Sequence, residues 1–188
     1  IPNGIRPDVA KAPKYTRHDL DQLLGIDTAQ KSILLTAGRL VRRKGVRWFI
    51  EEVIPRLPSQ IIYLVAGAGP ERRMIEETIT SKQLTDRVKL LGRVPDETLC
   101  LLLTTVDVFV QPNIKVPGDM EGFGIAVIEA ATSRRPVVAA KLEGLEEAIS
   151  DQQNGLFAEP ENAADFVEKI SWLLADDTQR KEFGEKAR

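Results

Sequence analysis

The sequence predicts an α/β domain of the doubly wound, Rossmann-like kind, with a mostly parallel sheet of about six strands and helices on both faces. Two observations carry that expectation. Apolar, β-branched runs alternate with longer helical patterns along the chain, which favours a parallel sheet covered on both sides. The 188 residues, 43% hydrophobic and 29% charged, suffice for one well-buried soluble domain.

The elements follow in order. A polar helix, "YTRHDLDQLL", comes first. "SILLTAG" (32–38) reads as a strand before a helix near 45–56, "QIIYLVAG" (60–67) as a strand before a helix at 70–82, and "RVKLLG" (87–92) as a strand before a helix at 95–105. "VDVFVQP" (106–112) leads to a helix starting at about Gly122 to Gly124, and "RPVVAA" (135–140) to a short helix near 144–149. "GLFAE" (155–159) passes into "ENAADFVEKISWLLA" (161–175), and "DTQRKEFGEKAR" reads as a last polar helix. The opening "IPNGIRPDVAKAP" has an Asn-Gly turn and little apolar periodicity, so residues 1–14 are expected to be a linker from a preceding N-terminal domain, and 15–188 the domain itself.

A net charge of -2 gives no bulk attraction to nucleic acid or anionic membrane, so anion binding requires a local cluster of cations. No apolar run approaches the roughly 20 residues that span a bilayer, and a cytoplasmic setting is expected. The single cysteine, Cys100, lies in the apolar "ETLCLLLTT" and is expected to fill core volume. The single histidine, His18, is expected on the surface of the opening helix.

Ligands of such sheets bind outside the carboxyl ends of the strands, so the loops there matter most. The first, "GRLVRRKGVRW", sets Arg39, Arg42, Arg43, Lys44 and Arg47 around Gly38 and Gly45. A glycine turn, a forked guanidinium and an ammonium five residues later suit a phosphate or pyrophosphate, which makes Gly38, Arg39 and Lys44 candidates. Arg42, Arg43 and Arg47 are expected to be exposed. The second, "GAGPERRM", lacks the third glycine of a dinucleotide fingerprint, because Arg72 stands there. It reads as a tight strand-to-helix turn rather than a nicotinamide or flavin site. In the third, "LLGRVPDETL", backbone groups of Arg93 and Val94 could meet the edge of a base.

The fourth loop, "NIKVPGDMEGFG", precedes an almost wholly apolar helix that carries Glu129. Free N–H groups at that helix start form an anion site. A carboxylate in a packed helix needs a partner, and the vicinal hydroxyls of a sugar such as ribose can supply one, a salt bridge or a cap to a neighbouring loop being the alternative. Glu121, eight residues earlier, is expected nearer the far end of the same ligand.

Together these segments resemble the C-terminal half of a retaining glycosyltransferase of the GT-B type, in the large family called glycosyl transferases group 1 or family 4. The resemblance runs from "IPNGI" through "GRLVRRKG", "LVAGAGPE", "VKLLGRVPDE", "DVFVQP", "EGFGIAVIEA" and "PVVAAKLEGLEEAI" to "NGLFAEP". It implies a nucleotide diphosphate sugar as donor, no cofactor or metal, and retention of anomeric configuration. By the resemblance Glu121 is catalytic, beside the donor sugar near the reacting carbon, and Glu129 accepts from the ribose. Gly122, Phe123, Gly124 and Ile125 offer backbone N–H groups, Arg39 and Lys44 hold the diphosphate, and Val94 meets the base.

Two departures stand out. Arg134 and Arg135 precede the proline of "PVV", where a small residue or glycine is usual, and Glu143 stands where glycine is common. The resemblance also places the acceptor site in a missing N-terminal domain of the same protein, so the chain alone is expected to bind donor without transferring sugar. Any peripheral membrane contact would run through that missing half. The alternatives are a nucleotide-sugar epimerase or phosphorylase of the same architecture, or a non-catalytic α/β ligand-binding module.

Overall fold

A computed structural model describes residues 15–119, 124–142, 144–146, 149 and 155–186. Six strands form one sheet: β1 (Ser32–Ala37), β2 (Ile61–Ala66), β3 (Val88–Gly92), β4 (Val108–Gln111), β5 (Val137–Ala140) and β6 (Leu156–Ala158). All neighbouring pairs are parallel and the order is β3-β2-β1-β4-β5-β6. The chain winds outward from β1 in one direction and, after β4, in the other. The boundary between β1 and β4 is therefore the switch point at which doubly wound sheets open a crevice.

Alternate residues of each strand serve opposite faces. Leu34, Tyr63, Val65, Val110 and Val138 pack in one core with α3 (Arg72–Ser81) and α6 (Ala163–Ala175). Ile33, Leu35, Leu64, Phe109 and Val137 pack in the other with α1 (Arg17–Leu24), α4 (Asp96–Thr105) and α5 (Ile125–Thr132). Helices thus cover both faces. Full burial of each such aliphatic or aromatic side chain is favourable by about 1.5–3 kcal/mol, before chain entropy is counted.

The segment expected as one helix near 45–56 is composite. An α-helical turn, α2 (Val46–Trp48), widens into π-helical Phe49–Val53 and tightens into a 3-10 turn, Ile54–Arg56. Pro55 accounts for the change, since it has no N–H for an α-helical bond and its ring would clash with the carbonyl one turn back. Phe49 lies under this step with its ring 5.0 Å from that of Tyr63 and 5.8 Å from that of Phe166.

Capping fixes α1. Thr16 and Asp19 form a reciprocal capping box, with the Thr16 N–H and hydroxyl each 2.7 Å from Asp19 Oδ2. At the amino edge of the sheet, the Asp107 carboxylate accepts from the Ile33 N–H at 2.7 Å, from Arg17 at 3.2 Å, and from Arg180 of α7 (Asp177–Lys186) at 3.2 Å. Arg134 sits in the left-handed region at φ 59°, a conformation that favours glycine, and its carbonyl packs on Gly184 of α7. Arg135 is directed inward, bonding the Val106 carbonyl at 3.0 Å, and burial lowers its pKa. Of the short helix expected near 144–149, residues 144–146 form a turn and most of the remainder lies outside the described residues, as do residues 1–14.

Candidate functional site

The loops after β1, β2 and β4 interlock through their backbones. Gly38 N–H donates to the Ala66 carbonyl at 2.9 Å, Leu40 N–H to Ala68 at 3.0 Å, and Glu71 N–H back to Leu40 at 3.1 Å. A side chain at Gly67 would collide with the Gly38 carbonyl, and one at Gly69 with that of Leu40. The glycine pair of "GAGPERRM" is thereby explained by close packing of two loops, as a tight turn requires.

Past Gly38 the chain forms a 3-10 turn, Arg42–Lys44, closed by Gly45 at φ 64°. Lys44 is only 8% exposed. Its Cε and Nζ lie 3.7 and 3.9 Å from the point where a Cβ on Gly38 would stand, so the ammonium rests against bare backbone at the end of β1. Arg39 beside it is exposed. Arg42 is exposed as expected, whereas Arg43 and Arg47 are half-buried, because the turn folds down onto the loop after β4.

That loop, residues 112–119, lies across the turn as a strap. Ile114 N–H donates to the Arg43 carbonyl at 2.9 Å, and the Arg43 guanidinium pairs with Asp119 at 2.9 Å. The Pro112 carbonyl occupies the space a side chain on Gly45 would need. At the root of the strap, buried Gln111 donates its amide to Asn113 at 2.7 Å. A cleft of about 570 Å³ opens between the strap and the loop after β5, with Arg43, Ile114, Asp119, Lys141 and Leu142 in its lining.

Beyond the strap, α5 begins at Ile125 behind Gly124, which has φ 60° and contributes no capping side chain to the first turn. Glu129, one turn further in, is buried at 8% exposure within an apolar helix. Val94 is half-buried between β3 and α4 and packs on the core that also holds Ala37 and Ala66. The structure thus gathers Gly38, Lys44, Gly124, Ile125 and Val94 in the loops and helix starts at the carboxyl edge of the sheet, with Arg39 at its surface. Glu121, Gly122 and Phe123, and the departure at Glu143, lie outside the described residues.

Other candidates fall away from this edge. Cys100 is buried in α4, where desolvation raises its thiol pKa. His18 is exposed, with Nε2 3.0 Å from Gln22. Among the described residues no three His, Cys, Asp or Glu side chains converge as metal ligands, and no helix is long and apolar enough to cross a membrane. Sequence reasoning missed Asp119 and the inward turn of Arg43. The aspartate's place two residues before Glu121 was the available signal.

Known proteins are similar to this chain in sequence and in fold. Alpha-D-kanosaminyltransferase of Streptomyces kanamyceticus is 29% identical over 173 residues, covering 91% of this chain and 43% of its own length. The crystal structure of WaaG, a glycosyltransferase involved in lipopolysaccharide biosynthesis, superposes with a TM-score of 0.80 at 25% identity, over 100% of this chain and 50% of that one. A TarM variant from S. aureus, in complex with fondaparinux, α-GlcNAc-glycerol and UDP, superposes with a TM-score of 0.75 at 27% identity, over 98% of this chain and 33% of that one. The chain therefore spans half or less of the length of these proteins. Its fold is the Rossmann-like α/β half of GT-B glycosyltransferases, and the model of the family glycosyl transferases group 1 matches residues 25–188. With that match running from the end of α1 to the last helix, the chain belongs to the glycosyl transferases group 1 family.

Proposed function

We propose that this chain is the donor-binding domain of a retaining glycosyltransferase that takes its sugar from a nucleotide diphosphate. The observation that carries the reading is the buried Lys44 ammonium, held against Gly38 at the switch point of the sheet. The start of α5 at Gly124, which has no side chain to cap it, belongs to the same carboxyl edge. A fixed cation and a helix N-terminus there suit a diphosphate. The UDP bound to the related TarM protein and the sugar transfer named for the kanosaminyl relative support the same ligand class.

In this reading Lys44 and Arg39 hold the diphosphate, and Gly122 to Ile125 offer N–H groups to phosphate or sugar. Glu129 accepts from the ribose, the backbone of Val94 meets the base, and Glu121 stands by the reacting carbon. As the glycosidic bond breaks, negative charge grows on the β-phosphate, and cations already in place stabilise it without reorganising and without a metal. Departure of the phosphate on the face that the acceptor attacks gives retention.

The acceptor and the groups that activate it belong to an N-terminal domain joined through residues 1–14, in a cytoplasmic enzyme whose membrane contact, where there is any, runs through that domain. The chain alone is expected to transfer no sugar, because in this reading the acceptor side of the water-excluding cleft belongs to that domain. The test is calorimetric titration with UDP, GDP and ADP and their nucleosides. The diphosphate should bind more tightly, salt should weaken it, and Lys44→Met should lower its affinity about 10- to 150-fold while sparing the nucleoside. Equal affinity for nucleoside and diphosphate, or binding of none of them, refutes the reading.

A further inference from the structure

Arg43 takes part in both fastenings of the strap after β4. Its carbonyl accepts the Ile114 N–H at 2.9 Å, near the root, and its guanidinium pairs with Asp119 at 2.9 Å, at the far end, across 76 residues of sequence. The next residue is Lys44. Asp119 precedes Glu121 by two positions. One residue therefore joins the turn that presents the buried ammonium to the segment leading toward the carboxylate assigned to the sugar. The pair is shielded unequally, the Arg43 side chain being 24% and Asp119 45% exposed. Its approach is reinforced where Pro112 seats on Gly45.

We infer that Arg43 and Asp119 are positioning residues that lock the strap 112–119 to the Lys44 turn and so hold the sugar side of the site in register with its diphosphate side. This rests on the donor-domain reading given above. Neither residue need touch the ligand. A strap fastened only at its root would leave the phosphate contacts intact and let the sugar side drift, so the pair acts on the sugar's share of binding and not on the nucleotide's.

Asp119→Asn removes the charge at a half-exposed position while keeping shape. The expected results are an unchanged unfolding midpoint, amide exchange at residues 114–119 about three- to fivefold faster, and affinity for a nucleotide diphosphate within about twofold of the parent. The extra affinity of the matching nucleotide-sugar, tested as UDP-glucose, GDP-mannose and ADP-glucose against their diphosphates, should fall by about three- to fivefold. The charge-exchanged double variant, Arg43→Asp with Asp119→Arg, should restore both exchange and sugar affinity. Unchanged exchange overturns the clasp, as does equal damage to nucleotide and nucleotide-sugar. If the parent chain binds none of these nucleotides, the donor reading fails by itself, and the exchange rates still decide whether the strap is locked.

Discussion

Replacing Gly45 with alanine tests whether the turn and the strap interlock as described. At φ 64° an L-residue costs about 1–2 kcal/mol relative to its right-handed form. The new methyl would also fall on the Pro112 carbonyl oxygen and within 3.0 Å of Ile114 Cγ2. A backbone carbonyl cannot swing aside as a side-chain tip can, so relief requires moving the strap, at about 1–3 kcal/mol for an overpacked contact. The two effects together predict a loss of about 2–5 kcal/mol. Gly118→Ala is the control, because Gly118 has φ 77° and its added methyl would meet nothing within 4 Å, leaving only the conformational cost. In urea unfolding, with an m-value of about 2 kcal/mol/M, the Gly45 variant should melt about 0.5–1.5 M lower than the Gly118 variant at unchanged slope. Equal midpoints would refute the interlock.

Two further outcomes are expected. Glu129→Ala should weaken binding of the bare nucleotide by about 1.5–3 kcal/mol, while Glu121→Ala spares it and reduces only the gain from the attached sugar; paired titrations showing equal losses would break the proposed division of labour. The Thr16 N–H and hydroxyl hold the Asp19 carboxyl below its ordinary value, so its share of α1 stability is full above the unfolded pKa and is lost as pH falls through the lower folded one. The Thr16 amide shift followed by NMR should therefore titrate below the usual aspartate range, and a midpoint at or above that range counts against the capping box.

Much of the fold is legible in the sequence because strand and helix signals are local. The six apolar runs and the amphipathic segments between them are each written within about a dozen residues, whereas the return of β4 to pair with β1 rather than β3 is not a local signal. The register of Arg43 with Asp119 is different. It joins two loops distant in sequence, and nothing in "GRLVRRKG" marks Arg43, rather than Arg42, as the cation that turns inward. The π-helical step at Phe49–Val53 escaped for a related reason, since "WFIEEVIPR" keeps an apolar period until Pro55 intervenes. The role of Gly67 and Gly69 is likewise visible only once the loop after β1 lies on them. Arg134 is the reverse case, where the sequence draws attention to the position and the structure shows a left-handed backbone there.

The carboxylate of Asp107 has a consequence for how the native state persists. It gathers Arg17 from the first described helix, Ile33 from the first strand and Arg180 from the last helix, groups that lie almost a whole chain apart. Arg17 and Arg180 reach Asp107 from helices that pack only onto a sheet already paired between β1 and β4, so their contacts with it are expected to form after those central strands have met. Stabilisation absent from the transition state acts on the rate of leaving the native basin rather than the rate of entering it. Asp107→Asn is accordingly expected to steepen loss of structure with time, raising the unfolding rate constant while leaving the refolding arm of the chevron in place. A slowed refolding arm would instead put this far pole of the sheet in the folding nucleus.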